Sequence, residues 1–76
     1  MLKEHLKLQL DNDNHLIVKN FIAIKDLKKE IISFDNYIII GTDLKIEYLD
    51  ENKMEIYGKI KQIEINSWKN KETIFI

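Results

Sequence analysis

Leu44-Lys45-Ile46-Glu47-Tyr48-Leu49-Asp50-Glu51-Asn52-Lys53-Met54-Glu55-Ile56-Tyr57-Gly58-Lys59-Ile60 decides the fold. Leu44, Ile46 and Tyr48 alternate with Lys45 and Glu47, the period of a half-buried β-strand. Asp50-Glu51-Asn52-Lys53 then reads as a turn. Met54, Ile56, Gly58 and Ile60 resume on one face, with Glu55, Tyr57 and Lys59 on the other. Past Ile60 the phase slips, because Ile63 and Ile65 are odd-numbered. A slip of one residue within a continuous strand is what a β-bulge produces, and Lys61-Gln62 is the predicted place. Gly41-Thr42-Asp43 punctuates the chain upstream. Gly41 is expected in a turn that needs positive φ, and Gly58 where a strand bends or bulges.

Tyr37-Ile38-Ile39-Ile40 is apolar on both faces and reads as the central strand, covered on both sides. Asp35-Asn36 is a tight-turn dipeptide. Residues 24–31 are ambiguous, since Ile24, Leu27 and Ile31 also fit a short helix. The segment is short for an independent helix. The favoured reading is a strand ending near Asp26, a polar turn through Lys28-Lys29, and a strand over Ile31-Ile32-Ser33-Phe34. Ile22 and Ile24 alternate with Ala23 and Lys25 as strand. Towards the start, Leu6, Leu8 and Leu10 alternate, Asp11-Asn12-Asp13-Asn14 turns, and Leu16-Ile17-Val18 is strand again. At the other end Trp68 stands in a polar stretch, followed by the β-prone Thr73-Ile74-Phe75-Ile76.

Strands every 8–12 residues give an all-β domain, a small antiparallel meander or roll of about six to eight short strands. A short β-solenoid is the alternative. The 76 residues make one domain, 1–76, with no room for a second. The chain is 45% hydrophobic and 33% charged, an ordinary globular balance, and its net charge is −1. All 12 basic residues are lysine, and the missing arginine argues against sequence-specific nucleic-acid binding. With no cysteine there is no disulfide framework, thiolate metal site or cysteine nucleophile. No apolar run is long enough to span a bilayer, and no signal-peptide pattern follows Met1.

The candidate chemical sites are weak. Asp11-Asn12-Asp13-Asn14 has oxygens at the spacing of a calcium loop. Leu16 and Ile22, however, stand where that loop needs glycine and glutamate, so the tetrad reads as a hairpin turn. His5 and His15 flank this turn and could face each other across the hairpin, but two histidines make a poor metal site. Neither has a nucleophile in a catalytic context, so no metal, cofactor or catalytic residue is assigned. Lys25, Lys28 and Lys29, and again Lys69 and Lys71, cluster beside acids that weaken their field. Trp68, Ile74, Phe75 and Ile76 are the candidate interaction residues, Trp68 as a core lid or a partner anchor. The terminal segment is expected to add as a strand to a sheet, its own or a neighbour's. Association through such an edge would relieve the thin stability of so small a core.

From Leu16 to Ile65 the chain resembles the YabP/YqfC family of sporulation proteins of endospore-forming Firmicutes. The residues that carry the resemblance are Gly41-x-x-Leu44-x-Ile46 and Gly58-x-Ile60-x-x-Ile63-x-Ile65, the acidic turn Asp50-Glu51-Asn52 between them, and the opening Leu16-Ile17-Val18-Lys19-Asn20. The spacing from Gly41 to Gly58 is similar to the YqfC branch. Three features depart from the family: the short Asp35-Asn36 turn without glycine, Ile22-Ala23 where the family has a glycine, and the lysine-only basic set. The resemblance makes residues 16–65 a family-like core and 66–76 a C-terminal extension. It implies a non-enzymatic protein of the mother-cell cytoplasm, at the forespore membrane surface, acting in spore envelope development with a membrane-protein partner. It brings no catalytic residues. A small ligand-binding or regulatory β domain of phage or plasmid type is the alternative.

Overall fold

The computed structural model describes residues 5–66 and 70–76. They form seven strands and no helix: β1 (Lys7–Asn12), β2 (His15–Lys19), β3 (Ile24–Leu27), β4 (Ile31–Phe34), β5 (Tyr37–Leu49), β6 (Lys53–Asn66) and β7 (Lys71–Phe75). One sheet runs in the order β1-β2-β6-β5-β4-β3, with β7 also on β6. Every pairing is antiparallel, which excludes a solenoid of stacked parallel coils. Residues 24–31 are a hairpin, as the flanking isoleucines favoured. Ile22 and Ala23 belong to the loop before β3, not to a strand.

The long hairpin β5–β6 is the spine, and it does not run straight. A strand of the 13 residues of β5 would extend about 43 Å. Yet its two ends are tied to one short loop. The Asn20 N–H donates to the Asn52 carbonyl at 2.6 Å, and the Asp35 N–H to the Ala23 carbonyl at 3.0 Å. From Asn20 to Ala23 the chain reaches at most ~11 Å. The spine therefore folds back on itself, and the sheet becomes a roll. Asn20 and Asp35 take left-handed backbone conformations, φ 64° and 52°, which Asn and Asp tolerate. The Asp35 carboxylate accepts the N–H groups of Ile22 and Ala23 at 2.9–3.1 Å, and Phe21 between the two ties is buried.

The corner of the roll lies where Gly41-Thr42-Asp43-Leu44 crosses Gly58-Lys59-Ile60. Two register shifts flank it, at Ile40/Gly41 and at Thr42/Lys45. The first leaves Lys61 as the extra residue, at the place the phase slip of the isoleucines marked. Bending disrupts the ladder and would strand main-chain donors. Two turns supply the acceptors. Gly58 and Ile60 N–H donate to the Asn14 and Asp13 carbonyls, at 3.2 and 2.8 Å, from the β1–β2 turn. Gly41 and Leu44 N–H donate to the Glu30 and Lys29 carbonyls, at 3.1 and 2.7 Å, from the β3–β4 turn.

Inside the roll Leu16, Val18, Met54 and Ile56 face Ile32, Phe34, Ile39, Ile60 and Ile63 in one core. Ile39 is fully buried, but Ile38 and Ile40 on the outer face are only half-buried, so the central strand is covered on one side rather than two. Tyr48 is exposed as well. A third register shift, between Ile46 and Tyr48, inserts Glu47 and ends the inward alternation that began at Leu44.

Candidate interaction surface

The two glycines are structural and stand together at the corner. A Cβ on Gly41 would overlap the carbonyl oxygen of Lys59, and its position is 3.0 Å from Leu44 Cδ2. Close backbone approach, not positive φ, requires this glycine; the positive φ in that stretch belongs to Asp43, at 52°. Gly58 has φ 123°, and a Cβ there would overlap the Asp43 carbonyl oxygen. The expectation of a bend or bulge at Gly58 therefore holds, while that of a turn at Gly41 is corrected.

The histidines do not meet. β1 and β2 pair Asn12 with His15, while the His5 carbonyl accepts from the Asn20 side chain at 3.0 Å. His15 instead joins a polar cluster on the outer face of β2 and β6. Its Nε2 lies 2.8 Å from Glu55 Oε1, its Nδ1 3.4 Å from Asp11 Oδ2, and its ring stacks on Tyr57 at 4.3 Å. Lys53 Nζ reaches the other Glu55 oxygen at 3.4 Å. The His15 hydrogen bond, then Lys53, hold the Glu55 carboxyl below the usual carboxylate range. Nearby, Asp50 is lowered by the Tyr48 hydroxyl, which donates to it at 2.7 Å, and by the Asn52 and Lys53 N–H groups. The register that assembles His15, Glu55 and Tyr57 depends on β2 crossing to β6, which local patterning does not reveal. Among the described residues no group of three or more His, Asp or Glu side chains is arranged to hold a metal ion. Asn12 Oδ1 instead accepts the Asn14 N–H at 2.7 Å, the geometry of a hairpin turn.

The lysine clusters separate. Lys28, Lys29 and Lys45 rim a shallow groove of about 310 Å³, floored by Leu27, Ile32 and Leu44. Lys71 pairs with Glu64 at 3.2 Å, and Lys69 lies outside the described residues. Trp68 also lies outside them.

The terminal segment adds to the protein's own sheet, with Gln62–Asn66 of β6 opposing Phe75–Lys71 of β7. All of β7 is nevertheless exposed. Ile74, Phe75 and Ile76 keep 48%, 77% and 45% of their surface in water. The apolar end of this segment, Ile74-Phe75-Ile76, on the outside of the molecule, is the candidate contact surface. No helix among the described residues is long and apolar enough to cross a membrane. Comparison of the chain with family models, curated proteins and solved structures gives no match.

Proposed function

We propose that the chain is a non-enzymatic assembly protein of the YabP/YqfC kind, working with a membrane-protein partner in endospore envelope development. One observation supports this reading above the others: the residues that carry the resemblance converge. Gly41 and Gly58 form one corner, each set against the backbone of the opposite strand. Leu44, Ile60 and Ile63 are buried, and Leu16 and Val18 lie in the same core. The residues that carry the resemblance thus lie in one folding unit, which supports the reading. The exposed Ile74, Phe75 and Ile76 at the end of β7 add a surface suited to protein contact.

The experiment is deletion of the gene in its source organism, followed by counts of heat-resistant spores and electron microscopy of the envelope. Vegetative growth is expected to be unchanged while heat-resistant counts fall and the envelope is incomplete. Normal counts with a normal envelope overturn the reading. They would favour the ligand-binding alternative, for which the lysine-rimmed groove is the place to look.

A further inference from the structure

Four strand edges of the roll meet no other strand among the described residues: the outer sides of β1, β3 and β7, and Lys45–Leu49 of β5. Three of them are blunted in the same way. β1 carries a bulge at Asp11, β3 at Lys25 and β5 at Glu47. In each case the extra residue is charged and sits on the edge strand itself. Bulges and charges on edges prevent pairing with another chain. β7 has neither device in its middle. Its five residues pair with β6 without a register shift, and its charges, Lys71 and Glu72, lie at one end.

The phase of the β6–β7 ladder is fixed by its last bond. Ile76 N–H donates to the Lys61 carbonyl at 3.0 Å. In an antiparallel ladder, alternate residues direct both main-chain groups to the same side. Ile76, Ile74 and Glu72 therefore point theirs at β6, and Phe75, Thr73 and Lys71 point theirs away from it. The outward groups are spaced evenly about Thr73.

We propose that the protein forms a symmetric dimer by antiparallel pairing of β7 with β7 of a second copy, the two-fold axis passing at Thr73. This inference does not rest on the sporulation reading. In this register Thr73 opposes the partner's Thr73, and Lys71 opposes the partner's Phe75. Every outward main-chain group then finds a counterpart, giving about six hydrogen bonds. No like charges stand directly opposite each other, since Glu72 opposes the partner's Ile74 and meets the partner's Glu72 only on the diagonal. Threonine pairs are favourable across strands, and Ile74 meets the partner's Ile74 on the diagonal of the inner face. Phe75, the most exposed large apolar side chain of the described residues, is brought beside the partner strand. Within Lys71–Phe75, moving the axis by one residue, to Glu72 or to Ile74, leaves about four of these hydrogen bonds.

The test combines sedimentation velocity over a concentration series with amide hydrogen exchange of the intact chain. Mass is expected to rise from monomer to dimer with concentration. The Thr73 and Phe75 amides are expected to exchange slowly only in the dimer, while the Ile74 amide is protected in both states by β6. Thr73→Lys places a charge beside Glu64, its neighbour on β6, so the monomer keeps its fold. Across the axis the same charge faces its own copy, and dimerisation is expected to weaken about tenfold or more. A native protein that stays monomeric up to about 1 mM, beyond which binding is negligible, overturns the proposal. So does a dimer in which Thr73 and Phe75 remain unprotected, or a folded Thr73→Lys variant that dimerises as well as the native chain. Should that variant fail to fold, the exchange pattern of the native chain decides alone.

Discussion

The β1–β2 and β3–β4 hairpins are laid on the spine in the same manner and end differently. His15 opposes Tyr57 as Ile31 opposes Ile40, and each hairpin turn gives two carbonyls to the N–H groups of the corner. Leu16 and Ile32 occupy like places in the core, as do Val18 and Phe34. Beyond the corner the likeness stops. Past its bulge at Lys61, β6 pairs with β7 without a register shift, whereas β5 bulges at Glu47 and runs out with Tyr48 and Leu49 in water. Two halves that share a folding device thus differ in what they leave open, and the unblunted edge is on the β6 side.

The comparison breaks most readily in the core. Phe34→Ala is expected to cost about 3–5 kcal/mol, enough to abolish cooperative unfolding in a domain of this size, and Val18→Ala less. Equal denaturation midpoints for the two would show that the half-sheets do not share one core. Next comes the corner. Gly58→Ala should destabilise by about 2–4 kcal/mol, because overlap with Asp43 adds to strain at positive φ. Gly41→Ala meets overlap with Lys59 without strain at positive φ and should cost about 1 kcal/mol less. Small, equal shifts in urea midpoint would remove the tight crossing. Smaller again, Asp35→Ala frees the Ile22 and Ala23 N–H groups and should cost about 1–2 kcal/mol by thermal melting. Asp35→Asn, which keeps an acceptor, should lose less.

The smallest effect is acidic. Glu55 and Asp50 are held below their ordinary values of 4.5 and 3.8 by His15 and by Tyr48 respectively. Folded-state values that are depressed mean stability that is fully present above the ordinary values. It is lost as pH falls through the folded ones. The melting temperature is therefore expected to decline as pH drops from about 4.5, and the decline should be shallower in Glu55→Gln. Asp50 is exposed and Glu55 only partly buried, so this shift should be less than that of Asp35→Ala. An identical acid limb in native and Glu55→Gln proteins would remove Glu55 from the linkage.

The strands and most turns were legible because alternation and turn residues are local signals. The bulge at Lys61 was visible too, since a slip flips the faces of Ile60 and Ile63. What joined the strands was not. The ties Asn20–Asn52 and Ala23–Asp35 and the corner carbonyls use main-chain groups, which leave no side-chain signature. Tyr48 was misplaced because a bulge at an edge costs the sequence no apolar residue. Of the candidate surface, the strand Thr73-Ile74-Phe75 could be read, but not which strand it joins or which edge it leaves bare. The polar cluster at His15 needed a register forty residues apart in sequence, to Glu55.

That separation has a consequence for the order in which the chain folds. β3, β4, β5 and β6 follow one another and pair as neighbours, so each closure is short. β2 must find β6 across nearly the whole intervening chain, and closing the longer loop is entropically slower. The meander of β3 to β6 is expected to form the nucleus, with the β1–β2 hairpin arriving last. Kinetically, Ile39→Val should then slow refolding, whereas Val18→Ala should mainly accelerate unfolding; the reverse partition would place the first hairpin in the nucleus. Until that hairpin docks, Gly58 and Ile60 lack their carbonyl acceptors, and the corner has no reason to close on the β6 side.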